Sequence, residues 1–327
     1  MSDLAALAAT LAASPGVVGK RDIAPAVAAL GVGGDAAVPV GDDCAALPDP
    51  AGGWQLLACE GMIEGFVAAM PWFAGWSAIM VNLSDVAAMG GRPVAVVNAL
   101  WADGEEQAAP VLQGMRDAAA AYGVPVVGGH TNLRARTGQL AVAVLGRAEH
   151  LLTSFDARPG DTLVMAVDLN GRWHDPHPFW DAASSAEPER LRRTLALLPE
   201  IAEEGWAHAA KDISQGGVIG TAAMLCECSR VGLEIDLDAV PAPSGADPAR
   251  WLTAFPSFGY LFAASSAGAE ALVARMRAED IAAAAIGRFD ETGRLALRQG
   301  GARAEALDLA GGLIGCAPLV PHREARA

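Results

Sequence analysis

The sequence predicts an α/β (α+β) protein of two domains, and three observations carry that reading. The chain has 327 residues, more than a single hydrophobic core usually organises. Apolar residues make up 52% of it, enough to fill more than one core. Segments with helical periodicity alternate along the whole length with short apolar runs of the kind that form buried strands.

In chain order, Asp22–Leu30 reads as a short helix, Val38–Val40 as a strand running into Gly41-Asp42-Asp43-Cys44, and Trp54–Glu60 as a second strand. From Gly75 to Met89 the apolar residues Trp76, Ile79, Met80, Leu83 and Val86 recur at helical spacing, until Gly90, Gly91 and Pro93 stop the helix. Pro93–Trp101 reads as a buried strand, Glu105–Tyr122 as a helix, and Val124–Val127 and Leu140–Gly146 as strands. Leu151–Asp161 carries turn residues and no period, so it is expected to link residues 1–152 to a second domain, 153–327. There, Thr162–Val167, Leu233–Leu237, Tyr260–Ala264 and Ala284–Phe289 read as strands. Glu187–Glu204 and Gly216–Val231 read as helices, and Pro241–Pro256 as a proline-rich connection.

The formal charge of -15 argues against nucleic acid as a partner, because an acidic surface repels a phosphate backbone. It leaves room for a nucleotide that arrives with magnesium. The cysteines number five, an odd count in a chain of this size, and are expected to be free thiols. The N-terminus has no basic leader pattern. The uncharged stretch Gly65–Ser84 is interrupted by Pro71, Gly75, Ser77 and Asn82 and reads as a loop entering a buried helix, not as a membrane span. A cytoplasmic protein is expected. Gly16-Val17-Val18-Gly19-Lys20-Arg21 has the wrong spacing for a P-loop, and neither a dinucleotide-binding glycine fingerprint nor a nucleophile elbow is present.

Four short motifs carry the candidate chemistry. In Gly41-Asp42-Asp43-Cys44-Ala45, adjacent carboxylates at a strand end point to opposite sides of the pleat, so one faces a site directly. Magnesium takes one or two carboxylates together with phosphate oxygens and water. An exposed turn explains the same residues. In Asn82-Leu83-Ser84-Asp85-Val86-Ala87-Ala88-Met89-Gly90-Gly91, Asn82 and Asp85 share one helix face, and burying them costs stability unless they are paired. An ordinary polar helix face is the plain alternative. Gly128-Gly129-His130-Thr131, following a strand, suits close backbone approach to a phosphate, or simply a hairpin turn. In Lys211-Asp212-Ile213-Ser214-Gln215-Gly216-Gly217, Ser214 reads as the cap of a helix whose N-terminal end suits a phosphate; a capping motif without a ligand fits equally. His174 and His177, in a loop rich in Trp and Pro, could touch substrate or a metal, but loop packing and solvent exposure are the plainer reading.

Taken together and in this order, the four motifs resemble the aminoimidazole ribonucleotide (AIR) synthetase-related superfamily, between Gly41 and Asp290. The segment NLSDVAAMGG is most similar to thiamine-monophosphate kinase. The resemblance implies an N-terminal α/β domain that pairs with a second copy into a shared barrel, a homodimer, and a C-terminal α/β domain. It implies ATP and Mg2+ as cofactors and a small-molecule substrate. Asp43 with Asp42, Asp85, Asp212 and Glu60 are implied to hold metal, with Asp85 and Asp212 central to catalysis. Lys20, Asn82, Gly128, Gly129, His130, Thr131, Ser214 and Gln215 are implied to lie along the nucleotide. Phosphoryl transfer to a small metabolite is the implied activity; cyclo-ligase or dehydrating chemistry with phosphate release, or ATP binding without turnover, remain open. His130 and Gln215 stand where these kinases carry acidic residues, and Phe255-Pro256-Ser257-Phe258-Gly259-Tyr260 replaces their Gly-Gly-Glu-Asp-Tyr segment.

Overall fold

The structure, a computed structural model, describes residues 3–32 and 36–316. Two mixed sheets dominate it. The first contains β1 (Ala45–Pro48), β2 (Trp54–Met62), β3 (Arg92–Asp103), β4 (Val126–Asn132) and β5 (Arg134–Ala148), in the order β1-β2-β5-β3-β4. Only the β3/β4 pair is parallel. The second contains β6 (Thr162–Val167), β9 (Ala209–Asp212), β10 (Gly232–Asp236), β12 (Gly259–Ala264), β13 (Ala282–Asp290), β14 (Arg294–Gln299) and β15 (Ala302–Asp308). Its order is β15-β14-β10-β13-β6-β12-β9. A small third sheet joins β7 (Arg172–Trp173), β8 (Phe179–Asp181) and β11 (Phe255–Pro256).

The helices explain which sheet faces are covered. Near the N-terminus lie α1 (Asp3–Ala12), α2 (Pro15–Gly19) and α3 (Ile23–Leu30), with a 3-10 turn at Lys20–Asp22. The first sheet carries α4 (Glu64–Ala69), α5 (Pro71–Ala88) and α6 (Glu105–Tyr122) on one face. The second sheet is packed on both faces. One face meets α9 (Gly217–Ser229), α1 and α10 (Pro248–Leu252). The other meets α8 (Leu197–Glu203), which follows α7 (Pro188–Leu195), and α11 (Ser266–Arg277). Double coverage is why β12 is buried at every residue and reads as a continuous apolar run.

The uncharged stretch that raised the membrane question is α4 followed by α5, and no helix among the described residues is long and apolar enough to cross a membrane. Residues 73–88 of α5 are all buried, because the helix lies between the first sheet, α6 and the second sheet's core, where Ala87 and Ala88 pack. Such enclosure goes with apolar residues round most of the helix, and Ser77, Asn82, Ser84 and Asp85 are its buried polar exceptions.

Three expectations are corrected. Val38–Val40 is not a strand: residues 38–44 form turns and bends, and the strand begins after them at Ala45. Glu187–Glu204 is two helices that meet at Ala196. The α1 helix, absent from the sequence reading, puts Leu4, Ala8 and Leu11 into the core beneath the second sheet.

Candidate functional site

Asp43 lies in the turn before β1, Asp85 in the last turn of α5 and Asp212 at the end of β9. These three elements, far apart in sequence, bring one carboxylate oxygen from each residue within 4.8 Å of the others. Asp85 is 7% exposed and Asp212 4%. Asp43 Oδ2 and Asp85 Oδ2 are buried with no hydrogen-bond partner. Burying carboxylates without partners is costly, and unpaired oxygens converging on one point are the donor set that a hard divalent cation takes. Burial pushes the carboxyls of Asp85 and Asp212 well above the usual range, and the neighbouring negative charges add to it, that of Asp212 on Asp85 and that of Asp43 on Asp212.

The carboxylates form the floor of a cavity of about 360 Å³. Glu60, Lys20, Lys211, Ser214 and Gln215 also line it. Lys20 sits in the 3-10 turn after α2 and donates to Ser214 Oγ at 3.2 Å. A close approach of two backbones makes this contact possible: a Cβ on Gly16 would stand 2.5 Å from the Gly216 nitrogen. Burial lowers the Lys20 pKa, and the charge of Lys211 adds to that. Burial also raises that of Glu60.

The rest of the wall is apolar. Phe66, Phe73, Met80, Phe179 and Phe255 face the cavity. His174 stacks on Phe73 at 4.0 Å and bonds Asp181 at 3.0 Å, while His177 stacks on Phe179 at 5.3 Å. The histidine-rich loop therefore packs, as its composition suggested, and its β8 strand delivers Phe179 and Trp180 to the wall. Parallel pairing of β8 with β11 puts Phe255 beside Phe179 on this apolar wall. Ile314 reaches the wall because buried Glu227 of α9 accepts bonds from Ile314 N and Gly315 N at 2.8 and 2.9 Å.

Two residues outside the predicted set complete the polar floor. Lys211, 3% exposed, donates to Asp43 Oδ1 at 2.5 Å and to Ser154 Oγ at 3.4 Å. Burial opposes its charge, but Asp43 and then Asp42 outweigh that and hold its pKa above the ordinary lysine value. Ser154, in the segment expected to be a plain linker, is fully buried. Its N and Oγ both donate to Asp42, at 3.0 and 2.7 Å. The Lys-Asp dipeptide was the one signal for Lys211. Nothing local marked Ser154.

The predicted residues therefore divide. Asp43, Asp85, Asp212, Glu60, Lys20, Ser214 and Gln215 meet at the cavity. Asp42 also borders it, but Ser154 and the Asp43 N–H occupy its oxygens, and burial raises its pKa to about 6. Asn82 does not reach the wall: its amide donates to Ala78 O inside α5 at 2.8 Å. The stripe of α5 that faces the cavity runs through Phe73, Ser77, Val81 and Asp85, and Asn82 lies a step round the helix from it. Ser214 is not the cap of α9; Gly216 is, with φ of 103°. Gly128, Gly129, His130 and Thr131 form neither a turn nor part of this cavity. They lie within β4, exposed at an edge of the first sheet, because their main chain pairs with Val97–Leu100 of β3.

Comparison with known proteins gives consistent matches. The family model described as AIR synthase related protein, N-terminal domain, matches residues 41–148, and the corresponding C-terminal domain matches residues 159–300. An uncharacterized protein of Synechocystis sp. is 45% identical over 82% of this chain and 84% of its own length. A thiamine-monophosphate kinase of Halobacterium salinarum is 31% identical over 72% of this chain and 81% of its own length. The solved structure of AaThiL complexed with AMPPCP and TMP covers 85% of this chain and 92% of its own, at a TM-score of 0.64 and 22% identity. T. maritima PurL complexed with ATP gives a TM-score of 0.68 at 21% identity over 90% of this chain, which spans only 48% of PurL. At those identities the two structures speak for the fold.

Proposed function

This chain belongs to the family of AIR synthase related proteins, and we propose that it is a Mg-ATP-dependent phosphotransferase acting on a small metabolite. One observation carries the reading: three carboxylates from three separate elements meet beneath a cavity large enough for a ligand, with buried oxygens left unpaired. T. maritima PurL has been solved with ATP and AaThiL with AMPPCP, which makes a phosphate-bound cation the natural occupant.

Asp43, Asp85 and Asp212 would hold magnesium, which neutralises phosphate charge when bound. The remaining work belongs to the chain itself. Lys20 and Ser214 lie together on the wall, a cation and a hydroxyl suited to nucleotide oxygens. The apolar wall excludes water, which strengthens these interactions and disfavours loss of the phosphoryl group to hydrolysis. Kinase chemistry is favoured over a phosphate-releasing ligase by the likeness to thiamine-monophosphate kinases. The apolar stretch at Phe255–Gly259 argues for an acceptor other than the one those kinases use.

The protein would work in the cytoplasm as two domains dividing near Leu152, and as a homodimer. Support for the dimer comes from the open face of the first sheet. Leu57, Leu145 and Ala95 are cross-strand neighbours on β2, β5 and β3, and Val97 lies one pair further along the same face. Leu57 is 50% exposed and Leu145 42%, which is unusual for an apolar row across a sheet. The motif Gly128–Thr131 flanks this face, so its part in nucleotide binding would depend on the second copy.

The test is calorimetric titration with AMPPCP, first with magnesium and then with EDTA. Magnesium-dependent binding is the expected result. Binding absent under both conditions would remove the nucleotide from the assignment. Turnover with candidate acceptors then separates a phosphorylated product from free phosphate.

A further inference from the structure

The floor of the cavity already contains a cation. The Lys211 ammonium is buried, lies 2.5 Å from Asp43 Oδ1 and reaches Asp42 through Ser154. We propose that Lys211 takes the place of a second metal ion, so that each chain binds a single divalent cation through Asp43, Asp85 and Asp212. This rests on the reading of those three carboxylates as a magnesium site.

The reason is a count of available oxygens. Sites that hold two ions about 3.5–4 Å apart share carboxylates between them. A magnesium–oxygen bond is about 2.0–2.1 Å, and an ammonium beside an oxygen repels an ion brought that close. Asp43 Oδ1 is therefore committed to Lys211, leaving Oδ2, which is buried and unpartnered. Asp42 offers nothing more. Its Oδ1 accepts from Ser154 Oγ and Asp43 N, and its Oδ2 accepts from Ser154 N. The acidic pair thus presents one free oxygen. Asp85 Oδ2 is the other buried oxygen in the cluster without a partner. Lys211 is a positioning residue in this scheme: it fixes Asp43 and limits the ion count without touching the nucleotide.

The experiment is a Mn2+ titration of the full chain without nucleotide, followed by electron paramagnetic resonance. The wild-type protein is expected to bind one ion per chain and to give a signal free of exchange coupling between neighbouring ions. The Lys211→Met variant, checked for folding by circular dichroism, is expected to bind a second ion and to show that coupling. Two coupled ions in the wild-type protein overturn the inference while leaving the magnesium site intact, and that outcome needs no variant. A folded Lys211→Met protein that still binds one ion also overturns it. No Mn2+ binding by the wild-type protein at all brings down the magnesium site itself, and this inference with it.

Discussion

Asp85 shows how little of a residue's role is written in its own neighbourhood. A carboxylate on a buried helix is tolerated when something compensates for its burial, and here Oδ2 has no protein partner. Replacing Asp85 with Asn keeps the shape and removes the charge, so magnesium-dependent binding of AMPPCP is expected to be abolished while the fold survives. Unchanged binding in calorimetry would remove Asp85 from the site. The carboxyls of Asp85 and Asp212 are also held protonated to higher pH than usual, by burial first and by their neighbours' charge second. A cation binds the deprotonated form, so it must displace those protons. Metal binding is therefore expected to release protons and to tighten as pH rises from acidic toward neutral. Calorimetry in buffers of different ionisation enthalpy measures that release, and a metal affinity independent of pH would contradict it.

At the scale of elements, the site depends on how closely α5 can lie against α6. A Cβ on Gly114 would stand 1.9 Å from the Trp72 carbonyl oxygen, and one on Gly75 would stand 2.0 Å from that of Val111. The two helices touch backbone to backbone, and this sets the depth of α5 and hence the position of Asp85. Gly114→Ala forces them apart and is expected to destabilise the protein by about 1–3 kcal/mol, the usual cost of overpacking a core. Denaturant unfolding gives the number. A variant as stable as the wild type would mean that the helices separate without strain. The helices α5 and α6 are legible because their apolar residues recur at helical spacing over many residues. The strands β2 and β3 are legible as apolar runs, but Pro93–Trp101, expected to be a buried strand, has an open face with only Val96 and Leu100 buried. Val38–Val40 is not the strand its apolar residues suggest, because so short a run carries no period and the chain there turns to aim Asp42 and Asp43.

For the whole molecule, the first sheet has one face packed on helices and one open face bearing Leu57, Val97 and Leu145. Sedimentation is expected to find a dimer. Leu145→Asp, which puts a charge at the middle of the apolar row, is expected to shift it to monomer and to weaken nucleotide binding if Gly128–Thr131 serves the second copy's site. A wild-type protein that sediments as a monomer would leave that face without its proposed cover.

The sequence by itself determined the mixed α/β class and the family, because periodicity and the four ordered motifs are local and survive without knowledge of packing. It also singled out Asp43, Asp85 and Asp212, each in its own short motif, and the fold brings these three carboxylates together. Only the tertiary structure decided which neighbours joined them. Lys211 and Ser154 are placed by the meeting of β9 with the segment after the first sheet, a contact between residues 57 positions apart. Asn82 turned inward along α5, and Gly128–Thr131 went to a sheet edge, because helix phase and strand pairing dictate where a side chain points. Motif chemistry names the atoms a site would need; the path of the backbone decides which of them arrive.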